Sequence, residues 1–575
     1  MERLLLKYMK INKLRTHNLK LKTSTMLLFF IILLSVLLRL WKLGSIPPSL
    51  TPDEAALGYN AYSILNTGRD EYGKVLPIIF KSFGDYKPGF YIYLAAPFIA
   101  LLGLNEYSVR LPSATAGIIT VYLIYLITKE LFGNRRLAIL SAFISSITPW
   151  LIYFSRGAWE ANVALTLTLA GIFFFLKSFR KPKFLIYSVL FFALTFITYQ
   201  GTKLSTLIVV TLLMIIYWKS FWGVFKPASK PVIISTLIVS LCLVPVIKSY
   251  VNGEAGRLTV FSVFSYPRPG DQLQKFLSED NDKVGSLRYY LFHTESLNYF
   301  RGIMGRWFNH MSSRFLFFEG DWSNPRHSSP HQGMLLMTDA IFLLAGLIVL
   351  CKRKLMKEIL FVSLWLIFAP LPSVLSRNEV HAIRSMNMVI PLIIILSFGL
   401  NGIILWLQNI KTHAFIRATS YILLTALYVG SLIYFFDSYF VHLPNHDSKL
   451  WEYGYKQIVE VVSPIKDEYN EVIVQQTFAQ PYIYFLFYGK YDPILYQSKA
   501  KLKESVYRGD VGQVERLDNI RFEDYSFPHI GATKSYIVVG NADRIHADFT
   551  KFDFSEIREI RYLNGKVAFR ILEKR

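Results

Sequence analysis

Runs of mostly apolar residues recur from residue 26 to residue 436, most of them close to the length that crosses a lipid bilayer. Hydrocarbon offers no partner to a backbone N–H or C=O, so such segments are restricted to helices. Composition agrees, with 53% hydrophobic and 16% aromatic residues, which excludes an ordinary soluble enzyme. The formal charge of +23 would also suit a nucleic-acid binder. Much of that excess sits in short loops beside apolar segments, the pattern of the positive-inside rule, so membrane lipids and not nucleic acid are the expected surroundings.

Charge also orders the crossings. Residues 1–25 carry Lys7, Lys10, Lys13, Arg15, Lys20 and Lys22 against one acid, Glu2, and are expected in the cytoplasm. Spans are predicted at 26–43, 110–131, 137–154, 162–175, 184–199, 204–218, 231–247, 335–350, 359–374, 386–407 and 418–436. The run 90–104 is short for a crossing of roughly 20 residues. It reads as a helix embedded in the outer leaflet, with a short crossing as the alternative. If it does not cross, the basic loops at Lys129–Arg136, Lys177–Lys183, Lys219–Lys230, Lys352–Lys357 and Lys411–Arg417 all fall inside. The expectation is an all-α polytopic domain over 26–438 with about eleven crossings, N-terminus in, in the cell membrane. Its first outer loop is 44–109 and its long outer loop 250–334. No secretory cleavage site is evident, and Cys242 and Cys351 suggest no disulfide framework. The tail, 439–575, is polar with strand-like runs at Glu471–Gln475, Ser535–Val539, Ile560–Leu563 and Lys566–Ile571, the last two joined by Asn564-Gly565, a hairpin signal. Helical patterns at Leu450–Val462 and Pro481–Tyr488 complete a small extracytoplasmic α/β domain.

The first outer loop holds the densest chemistry. In Thr51-Pro52-Asp53-Glu54, Thr51 can cap a helix, Pro52 suits its first position and both acids lie in its first turn. Leu57, Ala61, Ile64 and Leu65 follow on one apolar face, and Gly68 can end the helix, so a short amphipathic helix near the membrane surface is expected. Capping alone would explain the acids. Yet the same outer side collects Asp85, Lys87, Arg110, Arg156, Glu160, Tyr199, Gln200, Lys203, Arg326, His327, His381 and Arg384. Charged groups at membrane depth are costly and usually functional, although Arg110, Arg156 and Arg384 taken singly would also serve as interfacial anchors. A carboxylate able to take a proton beside cations able to hold an anion fits transfer from a phosphate-linked donor, one that reaches the site from the bilayer. His327 and His331 have a helical metal-ligand spacing, but Pro325 and Pro330 break any helix there, and no zinc site is expected.

These residues resemble the GT-C superfamily of lipid-linked-sugar glycosyltransferases. The similarity is to the dolichyl-phosphate-mannose–protein mannosyltransferase family and its bacterial branch, which includes the lipid A aminoarabinose transferase. It rests on Asp53-Glu54 followed by Tyr59-Asn-Ala-Tyr, on Lys87-Pro88-Gly89 (the family has a second proline where Gly89 stands), and on Arg110-Leu-Pro-Ser. Phe154-Ser-Arg156 with Glu160, the 316–327 loop ending Asn324-Pro-Arg-His, and His381-Ala-Ile-Arg384 extend it over the membrane part. The resemblance implies an inverting transfer of a sugar from a polyprenyl-phosphate donor to an acceptor hydroxyl or phosphate on a glycan, lipid or protein. It makes Asp53 the general base and has Glu54 position acceptor or sugar. Lys87, Arg110, Arg156 and Arg384 become the cations on the donor phosphate. Asp85, Tyr59, Glu160, Tyr199, Gln200, Lys203, Arg326, His327 and His381 are the remaining candidates for substrate contact. No cofactor is implied beyond a possible divalent cation, since Glu160-Ala-Asn162 has one acid where metal-dependent relatives have an acidic motif. The alternatives are an oligosaccharide or polymer transferase with a lipid-diphosphate donor, or a transporter or flippase, which should show internal repeats that this chain lacks.

Overall fold

The computed structural model describes residues 23–225, 229–252, 261–354, 356–409, 414–476, 480–499, 502–503, 512–528 and 535–575. The basic residues of the first 22 positions, with Lys226 and Lys411, therefore lie outside the described residues. Among the described residues, eight helices are long and apolar enough to cross a membrane: α1 (Thr23–Leu40), α4 (Glu106–Phe132), α7 (Glu160–Ser178), α9 (Thr202–Val224), α10 (Lys230–Val251), and the segments Lys357–Val374, Met386–Asn409 and Ala414–Asp447. A ninth crossing is counted if the bent pair α5 (Arg135–Ile147) and α6 (Pro149–Ser155) is one span. Two further expected crossings, α8 (Phe184–Phe196) and Asp339–Cys351, are apolar helices of only 13 residues each. The expected outer-leaflet helix is α3 (Phe90–Leu102), likewise 13 residues.

The bend of 56° between α5 and α6 has a readable cause. Pro149 has no N–H to give the Ser145 carbonyl, and the N–H of Trp150 turns to the Met334 carbonyl instead of Ser146. Both orphaned carbonyls accept from the guanidinium of Arg39, at 3.3 and 3.1 Å, while its Nε donates to Ser155 Oγ. A fully buried arginine inside α1 is thus the repair for a proline break in a neighbouring helix, a role invisible in either segment alone.

Beyond the last span lies a six-stranded mixed sheet. Its strands are β3 (Glu471–Gln475), β6 (Arg516–Leu517), β7 (Ile520–Glu523), β8 (Tyr536–Asn541), β9 (Ser555–Arg561) and β10 (Val567–Lys574), in the order β6-β7-β3-β8-β10-β9. Here β4 (Leu502–Lys503) and β5 (Gln513–Val514) form a separate pair, and β1 (Ile79–Ser82) with β2 (Asp85–Pro88) a hairpin in the first loop. Strand β3 runs parallel to β7 and β8 and, like β8, is buried throughout, as an apolar central strand requires. The Asn564-Gly565 hairpin joins β9 to β10 as expected, with Gly565 at φ 82°. The predicted helix at 450–462 instead begins at Tyr455, because Gly454 at φ 118° breaks the chain before it.

The helix α2 (Pro52–Thr67) begins and ends as its sequence indicates. Thr51 and Glu54 form a reciprocal capping box, Pro52 opens the first turn, and Gly68 at φ 67° closes the helix. It is not a surface helix with one apolar face, however. Residues Glu54 to Ala61 are all buried, because α3 and α4 cover one side and the tail covers the other. Gly58 leaves the space taken by the Phe487 ring and Val109, so a Cβ there would stand 2.5 Å from Phe487. Tyr59 donates to the Tyr491 carbonyl at 3.1 Å, and Gln497 Nε2 donates to Ser63, Thr67 and the Asp70 carbonyl.

Candidate active site

The head of α2 opens into a cavity of about 370 Å³. Its walls come from segments far apart in the chain: Thr51 and Asp53, the strand β2, the start of α7, Tyr199-Gln200, residues 324–327, and residues 377–384. Successive residues on a helix point about 100° apart, so the two acids of the first turn cannot share a direction. Asp53 faces the cavity with its side chain 61% exposed, and Glu54 turns inward with 2% exposed.

Lys87 reaches Asp53 from β2 and forms an ion pair with its Oδ1. The hairpin that carries it turns through Phe83 and Gly84, both at positive φ, as a two-residue turn of this hand requires. The Phe83 ring lies under the Lys87 ammonium, 5.4 Å from its centroid, and the Phe83 carbonyl accepts from Gly512 N at 2.6 Å. The tail therefore holds the hairpin tip and, through it, Lys87. Gly89 follows with no spare room: an added Cβ would stand 2.1 Å from the buried Phe80 ring. That packing leaves no room for a side chain at this position.

Three arginines, Arg326, Arg377 and Arg384, share the cavity with Lys87, and the carboxylates are Asp53, Asp85 and Glu160. The guanidinium groups of Arg384 and Arg377 lie 4.6 and 5.4 Å from the Phe261 ring centroid. Arg326 is held by its carbonyl, which accepts from Tyr153 Oη at 2.7 Å, and faces Glu452 of the tail at 3.9 Å. Burial pushes the Glu452 carboxyl up to about 7, and the charge of Asp53 adds to the effect. His381 is held well below the usual histidine range by burial and then by Arg384, His327 and His310. Tyr199, Gln200 and His327 complete the expected set that the fold gathers here.

Five expected site residues stand elsewhere, and each for a visible reason. All five N–H groups of Arg110 are taken: Nε by Glu54, Nη1 by the carbonyls of Leu43 and Pro47, and Nη2 by Ser49 and Glu54. A guanidinium so saturated has nothing left for a phosphate. Glu54 accepts from Arg110, from Thr51 N and from Ala158 N, tying α2 to α4 and to the 156–159 loop. It orients the helix that presents Asp53 and does not enter the cavity. Arg156 donates to the carbonyls of Leu38, Trp41 and Ile46, capping the end of α1, and stacks on Tyr439 and Phe440. Tyr59 packs under the tail, and Lys203 lies over the Tyr250 ring at 5.2 Å. Arg377, Asn378, Trp159 and Asn324 line the cavity without having been singled out. Arg377 had a signal, since it shares one short loop with His381 and Arg384.

Among the described residues, Asp321, His327 and His381 bring potential metal-ligand atoms within 4.8 Å of one another. Their donor set does not suit an ion in this arrangement. Asp321 Oδ1 accepts from the backbone and side-chain nitrogens of Asn324, and Oδ2 accepts from His327 Nδ1 and Ala382 N. The His327/His331 spacing is no ligand pair either, since only Pro325–His327 is helical and His331 sits at φ 56°.

Comparison with known proteins places this architecture. The structure of ArnT from Cupriavidus metallidurans bound to undecaprenyl phosphate matches with a TM-score of 0.53 at 11% identity, over 94% of this chain and 97% of that one. The apo state of the same protein matches with a TM-score of 0.51 at 12% identity, over 96% and 98%. The chain has the GT-C glycosyltransferase fold. Within that GT-C architecture, residues 86–248, from β2 to α10, match the family model for dolichyl-phosphate-mannose-protein mannosyltransferase. The archaeal oligosaccharyltransferase AglB from Archaeoglobus fulgidus also matches, with a TM-score of 0.48 at 12% identity, over 79% of this chain and 62% of that one. No curated protein matches at the sequence level. The GT-C fold and the apolar helices make this a multi-pass membrane protein.

Proposed function

We propose that this protein transfers a sugar from a polyprenyl-phosphate donor to an acceptor hydroxyl, with inversion, on the extracytoplasmic side of the membrane. One observation carries the reading: the exposed Asp53 carboxylate, ion-paired to Lys87, opens onto the same cavity as Arg326, Arg377 and Arg384. The fold match to ArnT with undecaprenyl phosphate supports a lipid phosphate as the anion those cations hold.

In this reading Asp53 takes the proton of the acceptor hydroxyl as its oxygen bonds to the anomeric carbon. The bond from that carbon to the phosphate oxygen breaks, and its electron pair stays on the phosphate. Lys87 and Arg384, joined by Arg326 and Arg377 in place of Arg110 and Arg156, stabilise the charge that develops there. Lys87 touches both ends of the reaction, since it also orients Asp53. Asp85, Glu160, Tyr199 and Gln200 are the polar groups available to the sugar and acceptor. The chemistry needs no cofactor, because the base and the anion site are both protein side chains. The acceptor is a glycan, a lipid or a protein.

The test is transfer by the purified protein offered two donors, a monosaccharide on polyprenyl phosphate and an oligosaccharide on polyprenyl diphosphate. Turnover of the first is expected. Turnover of the second alone would replace this reading with oligosaccharide transfer, and turnover of neither would overturn both.

A further inference from the structure

Three histidines cluster behind the cavity, and their surroundings differ. His310 gives Nδ1–H to the Arg306 carbonyl and takes the His381 N–H on Nε2, at 2.7 and 3.2 Å. It is neutral and internal. His381 Nδ1 accepts from Arg384 N. Among the described residues, His327 is the one of the three bonded to a carboxylate. Its Nδ1 donates to Asp321 Oδ2 at 2.9 Å, and Asp321 is fully buried, held also by Ala382 N at 2.7 Å and by Asn324. With Nδ1 committed, Nε2 is the nitrogen left to the cavity that His327 lines. The ring cannot easily turn away. Trp159 meets it edge-on at 5.7 Å, with Phe154 at 6.1 Å and His381 at 4.9 Å.

We propose that Asp321 is a positioning residue that fixes His327 so that its Nε2–H donates to a phosphate oxygen of the lipid-linked donor, a statement that rests on the lipid-phosphate reading above. In the donor complex the ring, as imidazolium, stands between the Asp321 carboxylate and the phosphate, an alternating row of negative, positive and negative charge. As the bond to the anomeric carbon breaks, the electron pair collects on the oxygen and the donated hydrogen bond strengthens. The acceptor's proton goes to Asp53, so His327 gives up no proton and the step balances. Asp321 does a second thing with the same oxygen: through Ala382 N it sets the 381–384 loop, which carries Arg384.

The experiment measures binding of undecaprenyl phosphate to the full-length protein in lipid nanodiscs at neutral pH. Asp321→Asn and His327→Gln should each lower affinity roughly tenfold, and the double variant little further than His327→Gln alone, because Asp321 acts through His327. His327→Gln keeps the test valid if Asp321→Asn fails to fold, since His327 borders the cavity. Wild-type affinity in both variants would overturn the proposal while leaving the lipid-phosphate reading intact. So would a stoichiometric divalent metal in wild type that is lost in Asp321→Asn. Failure of wild type to bind the lipid at all would overturn the parent reading and this one with it.

Discussion

Asp53 and Glu54 are neighbours of one charge type, and their replacement should give opposite phenotypes. Asp53 is largely exposed and forms an ion pair with Lys87 at the cavity wall. A solvated pair of this kind contributes about 0–1 kcal/mol, so Asp53→Asn should leave folding nearly unchanged. Removing a general base typically costs about 10²- to 10⁴-fold in rate, so the same variant should lose nearly all transfer. Glu54 is the counter-charge to a guanidinium buried to 0% side-chain exposure. Glu54→Gln leaves that charge buried and uncompensated, a defect of about 3–5 kcal/mol, and loosens the bond to Ala158 N that joins α2 to the 156–159 loop. Its melting temperature in detergent should fall well below wild type, while the fraction that remains folded should turn over far faster than Asp53→Asn. The paired assay is thermal unfolding with transfer rate per folded molecule. A folded Asp53→Asn with wild-type turnover, or a Glu54→Gln of wild-type stability, would refute the division of roles.

Other consequences are equally direct. Glu71 is buried against Asn60, and burial pushes its carboxyl up to about 8. The folded state therefore holds a proton that the unfolded state releases, and stability should fall as pH rises from the ordinary carboxyl range through about 8. Glu71→Gln should remove about 4–5 kcal/mol of that loss, read as a flattened dependence of melting temperature on pH. Gly89→Ala sets a Cβ against the Phe80 ring, which is itself buried, so a loss of about 1–3 kcal/mol and reduced transfer are expected, with partial recovery when Phe80 is also shortened to Leu. Chelation with EDTA should leave transfer unchanged, and a drop restored by one divalent ion would show that the base and cations do not suffice. A single cysteine placed beside Asp53 should react with a membrane-impermeant thiol reagent from outside intact cells; labelling only after lysis would invert the topology and remove the site from the extracytoplasmic face.

Local sequence determined the elements and their ends. Apolar length and loop charge are enough to expect a helical bundle, a terminal residue pattern is enough to start α2 at Pro52 and stop it at Gly68, and Asn564-Gly565 is enough to turn β9 into β10. The gathering of Asp53, Lys87, Arg326, His327, His381 and Arg384 was also legible, because loops at one end of a multi-pass bundle share one face. Partnership was not legible. Arg110, Arg156 and Arg384 look alike in sequence, but Arg110 spends its N–H groups on Glu54 and on loop carbonyls beyond α1, Arg156 on carbonyls at and beyond the end of α1, and Arg39 on carbonyls freed by Pro149. Which carbonyls go unsatisfied depends on where helices from distant parts of the chain meet. Only the tertiary structure therefore decides which cations are structural, which of two adjacent carboxylates meets solvent, and that Asp321 stands behind His327.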